Sequence, residues 1–295
     1  MKRIYFLAAL CALATASFAQ QPNSKDSSTA KASKRDTIRI GSILIIKNRK
    51  GTKTDSVEVY NDYSNAKRNK KVSTNYLILD VGFANWSDQT NYANAGSMVV
   101  NRPGIAAFSA EDMTLRAGNS ANINLWIFMQ KIALHNTNIN LKYGLGLEYN
   151  NYSFRSAVSF KENGNINPGP GALNNAPFIF RDSISFSKNK LNLKYITVPL
   201  MLNFATNKEK GLPKLSASIG VSIGYLIRER NKQNSNERGK QDNQGDYNLQ
   251  RFKFSYIGEI GIGSIKMYGS YSPTSLFEKG LIIRPYTFGI RFSNW

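Results

Sequence analysis

The sequence predicts an all-β protein, an eight-stranded antiparallel transmembrane β-barrel preceded by a short periplasmic tail with a β-hairpin. Three observations carry this expectation. Two-residue alternation recurs in eight segments, the connectors between them are alternately short and long, and an export signal precedes them.

The N-terminus sets the compartment. Lys2 and Arg3 give a positive start, Ile4 to Ala16 an apolar stretch, and Ser17-Phe18-Ala19 before Gln20 offers small residues for cleavage. Residues 1–19 therefore read as a signal peptide. The apolar stretch is too short to span a bilayer, and no other segment approaches the ~20 apolar residues of a membrane helix. Membrane insertion must then use strands. The chain's one cysteine, Cys11, lies inside the signal, and bulky Leu10 before it argues against lipidation. The mature chain is left without disulfides or thiolate metal sites.

Residues 20–73 read as a basic periplasmic linker and hairpin. Of the formal charge of +20, the signal supplies +2, residues 20–73 +8 and residues 74–295 +10. The excess is densest in the tail, where Lys47, Arg49, Lys50, Lys53, Lys67, Arg68, Lys70 and Lys71 suit anionic lipid, cell wall or an acidic protein. Nucleic acid is not expected in this compartment. Residues 20–35 have almost no large apolar groups and read as a flexible linker. Thr37 to Lys47 and Asp55 to Tyr60 are β-branched runs around a turn at Asn48 to Thr52. Such a hairpin is marginal alone. It is expected to dock on its own barrel or on a periplasmic or secretion-system protein.

Residues 74–295 hold the barrel. Strand three alternates Ile139, Leu141, Tyr143, Leu145, Leu147 and Tyr149 with Asn140, Lys142, Gly144, Gly146, Glu148 and Asn150. Strand five sets Leu215 to Tyr225 in steps of two against Ser216, Ser218, Gly220, Ser222 and Gly224. Strands one, six, seven and eight follow suit from Leu77, Phe252, Ile265 and Tyr286. Strand two carries Trp126 and Phe128 opposite Ile123, Leu125 and Ile127, which leaves its orientation open. In strand four the apolar parity changes between Leu191-Leu193-Tyr195 and Ile196-Val198-Leu200, and a bulge near Pro199 is expected.

A strand face of Ser and Gly is a poor water-facing surface but fits a narrow lumen. Trp86, Tyr149, Tyr225 and Tyr271 at one end, and Tyr76, Phe204 and Trp295 at the other, are expected at the lipid interfaces. Connectors at 135–137, 206–212 and 263–264 are short; those at 87–119, 161–178, 230–248 and 273–281 are long. Short turns face the periplasm and long loops the exterior, so both termini are expected to be periplasmic. Strands three and four are expected to run on, from 138 to 160 and 179 to 205, as a projecting hairpin.

The inward-facing charges Asp80, Lys142, Glu148, Arg251, Lys253, Glu259, Lys266 and Arg291 form the candidate site, a polar network filling the lumen. No catalytic, cofactor-binding or metal site is expected. The one histidine, His135, falls in a short turn and lacks partners for acid–base or metal chemistry. Glu229, Glu237, Asp242 and Asp246 mix with Arg228, Arg230, Lys232, Arg238 and Lys240 as a solvated loop.

Asp36 to Ile46, Asn75 to Trp86, Leu141 to Phe154, and Leu193 to Phe204 with Tyr195 and Pro199 in a Y-x-x-x-P pattern resemble the PorT-like family of outer-membrane barrels in Bacteroidetes. The resemblance implies a barrel; the family takes its name from a member associated with gingipain secretion and the type IX system. Trp295 resembles the terminal aromatic read by the barrel assembly machinery. The apolar series Phe288, Ile290, Phe292 lies one step out, so Phe288, Phe292 and Trp295 are together the candidate assembly signal. The expected role is a non-enzymatic scaffold or interaction protein that assists secretion or envelope assembly, in contact with outer-membrane lipid and lipopolysaccharide. The alternative is a small pore or transport accessory.

Overall fold

The computed structural model describes residues 35–40, 43–48, 56–61, 72–135, 138–165, 173–174, 176–206 and 215–293, in two units, Met1–Arg68 and Asn69–Trp295. The signal, the linker up to residue 34, the turn at 49–52 and Trp295 lie outside the described residues.

In the first unit, β1 (Arg35–Ile40), β2 (Ile43–Asn48) and β3 (Ser56–Asn61) form an antiparallel sheet in the order β1-β2-β3. The expected hairpin is therefore a three-stranded meander. The β-branched run from Thr37 to Lys47 divides between Ile40 and Ile43, where the sequence places Gly41 and Ser42, residues that favour turns.

The second unit contains β4 (Val72–Asp88), β5 (Ala121–His135), β6 (Ile139–Ser153), β7 (Val158–Lys161), β8 (Gly164–Asn165), β9 (Leu173–Asn174), β10 (Phe178–Arg181), β11 (Lys188–Ala205), β12 (Leu215–Ser235), β13 (Gly239–Asn243), β14 (Phe252–Ile262), β15 (Ile265–Tyr271) and β16 (Ile283–Phe292). Eight of these, β4, β5, β6, β11, β12, β14, β15 and β16, pair antiparallel in chain order. The last, β16, pairs back onto β4, with Arg291 opposite Asp80, so the sheet closes into a ring. At this closing seam Gly82 and Gly289 face each other so tightly that a Cβ on Gly289 would lie 2.4 Å from the Gly82 Cα.

Alternation sorts the side chains as expected. Leu79, Val81, Phe83, Leu200, Ile219, Ile260 and Ile290 all face outward and are exposed, whereas Asp80, Lys142, Glu148, Ser222, Glu259 and Arg291 are buried inside. An apolar girdle of this extent would be untenable in water and matches a hydrocarbon surround.

Register shifts adjust this pattern, one of them between Ala133 and His135 at the end of β5; two others bear on the expectations above. In β5, Trp126 pairs with Gly146 and Phe128 with Leu145, so Ile127 is an extra residue and both Trp126 and Met129 point inward. That fixes the orientation of β5. The bulge expected near Pro199 is in the partner strand instead. Lys194 pairs with Arg228 and Tyr195 with Leu226, which makes Ile227 of β12 the extra residue, while the β11–β6 register is continuous across the same region. In β11 the odd-numbered residues from Leu191 to Ala205 are all buried. The apparent change of parity is a change of surroundings: below Tyr195 the outside is apolar and the inside polar, and above it the reverse holds.

Above the girdle the long loops fold into a cap with its own hydrophobic core. The β4–β5 connection, residues 89–120 (loop 1), contributes Met98, Phe108, Met113 and Leu115, the β6–β11 connection Phe154, Phe160 and Ile179, and the later loops Tyr247, Leu249 and Phe277. Leu191, Leu193 and Tyr195 meet this core from the barrel wall. Trp86, expected at the lipid interface, is instead buried in it, with its ring 4.6 Å from Tyr152 and 5.7 Å from Phe154. The projecting hairpin also differs from expectation. β6 ends at Ser153, and β7 pairs with β10 as a separate two-stranded sheet. The longest ladder belongs to β11 and β12, reaching from Ala205 opposite Ser216 to Lys188 opposite Asn234.

Candidate functional site

Seven of the eight predicted lumen charges lie inside the barrel. Arg291 forms a two-pronged pair with Asp80, Nε and Nη2 each donating at 2.7 Å, and its Nη1 donates to Glu259. Such fork-to-fork contacts hold geometry as well as charge. Glu259 also accepts from Lys142 and from Ser218 Oγ at 2.8 Å. Glu148 pairs with Lys253 and accepts from Asn150 at 2.8 Å and Thr197 at 3.1 Å. Lys266 donates to Ser293 Oγ at 2.7 Å.

Arg251 does not join them. It precedes β14, and its guanidinium meets Glu229 at 3.1 Å and Asp246 at 2.8 Å in the cap. The alternation that placed it inward continues in the sequence past the end of the membrane ladder, so the pattern gave direction without depth.

The network includes residues that charge alone did not reveal. Trp126 Nε1 donates to Asp80 at 2.7 Å, and Asn124 Nδ2 does so at 3.1 Å. Asn122 bridges Asn150 and accepts from the Tyr268 hydroxyl at 2.6 Å. Arg291 lies over the rings of Trp126 and Tyr268, 5.2 and 5.8 Å from their centres. Asn122 and Asn124 alternate with Ile123 and Leu125, so their inward phase was available in the sequence. Gly146 makes room for the indole, because a Cβ there would lie 2.6 Å from Trp126 Cε3. A cavity in the lumen, lined by Asn124, Trp126, Glu148, Lys253 and Arg291 among others, is about 30 Å³, room for about two or three waters at the ~10–15 Å³ that each needs.

Ion pairs also tie the loops above the lumen to one another. Arg181 donates to both oxygens of Asp112, at 2.8 and 2.5 Å, and Arg238 binds Asp182 at 2.8 Å. Asp242 pairs with Arg230 at 2.6 Å and Lys232 at 3.5 Å, so the expected mixed-charge loop is cross-linked by ion pairs. Among the described residues, no group of three His, Cys, Asp or Glu side chains is placed to hold a metal ion.

Glu229 sits in the cap, above the lipid-facing part of β12, which ends at Ile227. Its Oε2 has no hydrogen-bond partner. Burial pushes the carboxyl up to about 7, against the pull of Arg251 and with Asp246 and Glu162 adding to the rise. A carboxyl whose folded pKa exceeds its unfolded value favours folding while protonated and loses that contribution as pH rises toward and past 7. The wild-type thermal midpoint should therefore fall more between pH 5 and pH 8 than that of Glu229→Gln. Identical slopes would refute this assignment.

A closed antiparallel ring with a greasy exterior and a polar, filled interior defines an outer-membrane β-barrel protein. Residues 109–277 match the family model described as outer membrane protein beta-barrel domain, more than half of the 295 residues, and the chain belongs to that family. No match was found among curated proteins.

Proposed function

We propose that this protein is a closed, non-enzymatic barrel that acts as a scaffold or interaction protein in the outer membrane. The carrying observation is the filled lumen: four cations, Lys142, Lys253, Lys266 and Arg291, interleave with Asp80, Glu148 and Glu259 around a cavity with room for about two or three waters. A conducting path would need these pairs to separate in a confined space, leaving buried charge uncompensated. With conduction disfavoured, the folded cap and the N-terminal meander become the surfaces available to partners.

The reading further places the long loops outside and both termini in the periplasm, after removal of residues 1–19. The PorT-like resemblance supports a role in secretion or envelope assembly, with a periplasmic or secretion-system protein as the partner of residues 20–73. Planar-bilayer recording tests it. Purified full-length protein should give no steady conductance steps; such steps would overturn the scaffold reading in favour of a small pore. In co-purification from cells, deleting residues 20–73 should remove specific partners, and an unchanged partner set would overturn tail docking.

A further inference from the structure

The outward face of the β11–β12 hairpin changes character abruptly where it leaves the apolar girdle. Below, Val198, Leu200 and Leu202 face outward on β11. Above, Lys194 stands directly opposite Arg228, and Lys190 directly opposite Lys232. Like charges facing each other across a ladder destabilise it, so two pairs of this kind, separated only by Asn192 opposite Arg230, favour an outside anion.

The protein supplies too little. Asp242, opposite Lys232 on β13, pairs with Arg230 and Lys232. Among the described residues no carboxylate pairs with Lys190, Lys194 or Arg228. Arg228 reaches only the Gln244 side-chain oxygen, at 3.4 Å, and Lys194 lies 5.9 Å from the centre of the Tyr149 ring. Arg230 Nε and Asn192 Oδ1 are buried without hydrogen-bond partners.

Lys194, Arg228, Arg230 and Lys232 rim a groove of about 890 Å³ whose apolar wall is Ile123, Leu125, Leu147 and Ile227, all exposed. The β12 bulge matters here. The extra residue puts Ile227 and Arg228 side by side on the outer surface, an apolar group next to a cation at the level where hydrocarbon gives way to headgroups.

We propose that this groove binds a phosphorylated glycolipid of the outer leaflet, of the lipid A type, with its phosphates on Lys194 and Arg228 and its acyl chains along Ile123, Leu125 and Leu147. Charge complementarity selects an anion, and the apolar wall directly beneath selects one carrying hydrocarbon. Guanidinium-to-phosphate contacts are among the strong hydrogen bonds, and Arg228 is exposed. The leaflet named here rests on the proposed orientation, with the long loops outside.

The test compares full-length wild type, Lys194→Gln/Arg228→Gln and the control Lys279→Gln, which removes an exposed charge from another loop. Thermal unfolding in zwitterionic detergent is followed with added bisphosphorylated lipid A, dephosphorylated lipid A, or inorganic phosphate. Wild type and Lys279→Gln should be stabilised by the phosphorylated lipid alone, and the double variant should bind it about tenfold or more weakly. Without lipid, the double variant should unfold no lower than wild type, since its like-charge pair is gone. Equal stabilisation of wild type and double variant overturns the site, and equal stabilisation by inorganic phosphate overturns the lipid. Orientation is read separately: the mature chain has no cysteine, so Glu237→Cys in the cap should react with a membrane-impermeant maleimide on intact cells. Absence of labelling together with retained lipid binding overturns the leaflet and leaves the groove.

Discussion

Replacing Arg291 with methionine is expected to cost the folded barrel about 3–5 kcal/mol, the range for removing one partner of a buried ion pair. The guanidinium donates to Asp80 through two nitrogens and to Glu259 through the third, and all three residues are buried. Its loss leaves Asp80 with only the neutral donors Trp126 and Asn124. The expected readout is a lower temperature for conversion of the compact to the unfolded band in detergent electrophoresis. Adding Asp80→Asn should recover part of the loss, because the second change removes the stranded charge, and the two effects should be non-additive. An Arg291→Met barrel as heat-resistant as wild type would show that the lumen pairs contribute little to stability.

Trp86→Ala is expected to act on the cap and spare the ring below. The indole is 7% exposed, packs on Tyr152 and Phe154, and donates from Nε1 to the Met113 carbonyl at 3.0 Å. Removing a buried Trp costs about 3–5 kcal/mol, and the Met113 carbonyl is left without that donor. The loss falls where loop 1 meets the end of β4. Limited proteolysis should therefore cut the variant within residues 89–119 under conditions that leave wild type intact, while the strand amides of β11 and β12 stay protected from hydrogen exchange. Loss of protection throughout the barrel would mean that cap and ring unfold as one.

The ring itself was readable because alternation is a strong signal where one face meets lipid and the other a polar lumen. Strands such as β6 and β12 keep that contrast over ten residues. The reading failed where surroundings changed along a strand. In β11 the outward face passes from apolar to cationic while Leu191 and Leu193 turn inward to the cap, and a single-face rule converts this into a false bulge. Trp86 failed for a related reason: a rim aromatic and a cap-core aromatic occupy the same distance along the strand and differ only in facing. The cap core was hidden because Met98, Phe108 and Phe277 are scattered among polar loop residues without any period. Of the candidate site, the charged members were visible as inward positions, and Arg251 was misplaced only in height. Asn122, Asn124 and Tyr268 carry no charge, so a pattern of inward charges does not mark them.

Asp80 and Arg291 stand opposite each other on the first and last membrane strands, beside glycines that admit no side chain between them. Sliding β16 by a single residue would turn the guanidinium out toward lipid, an error that costs about 2–4 kcal/mol at mid-bilayer and less toward an interface, and would strand the aspartate within. The joint thus proofreads its own alignment: a cylinder zipped shut in the wrong frame is penalised twice, once on each wall.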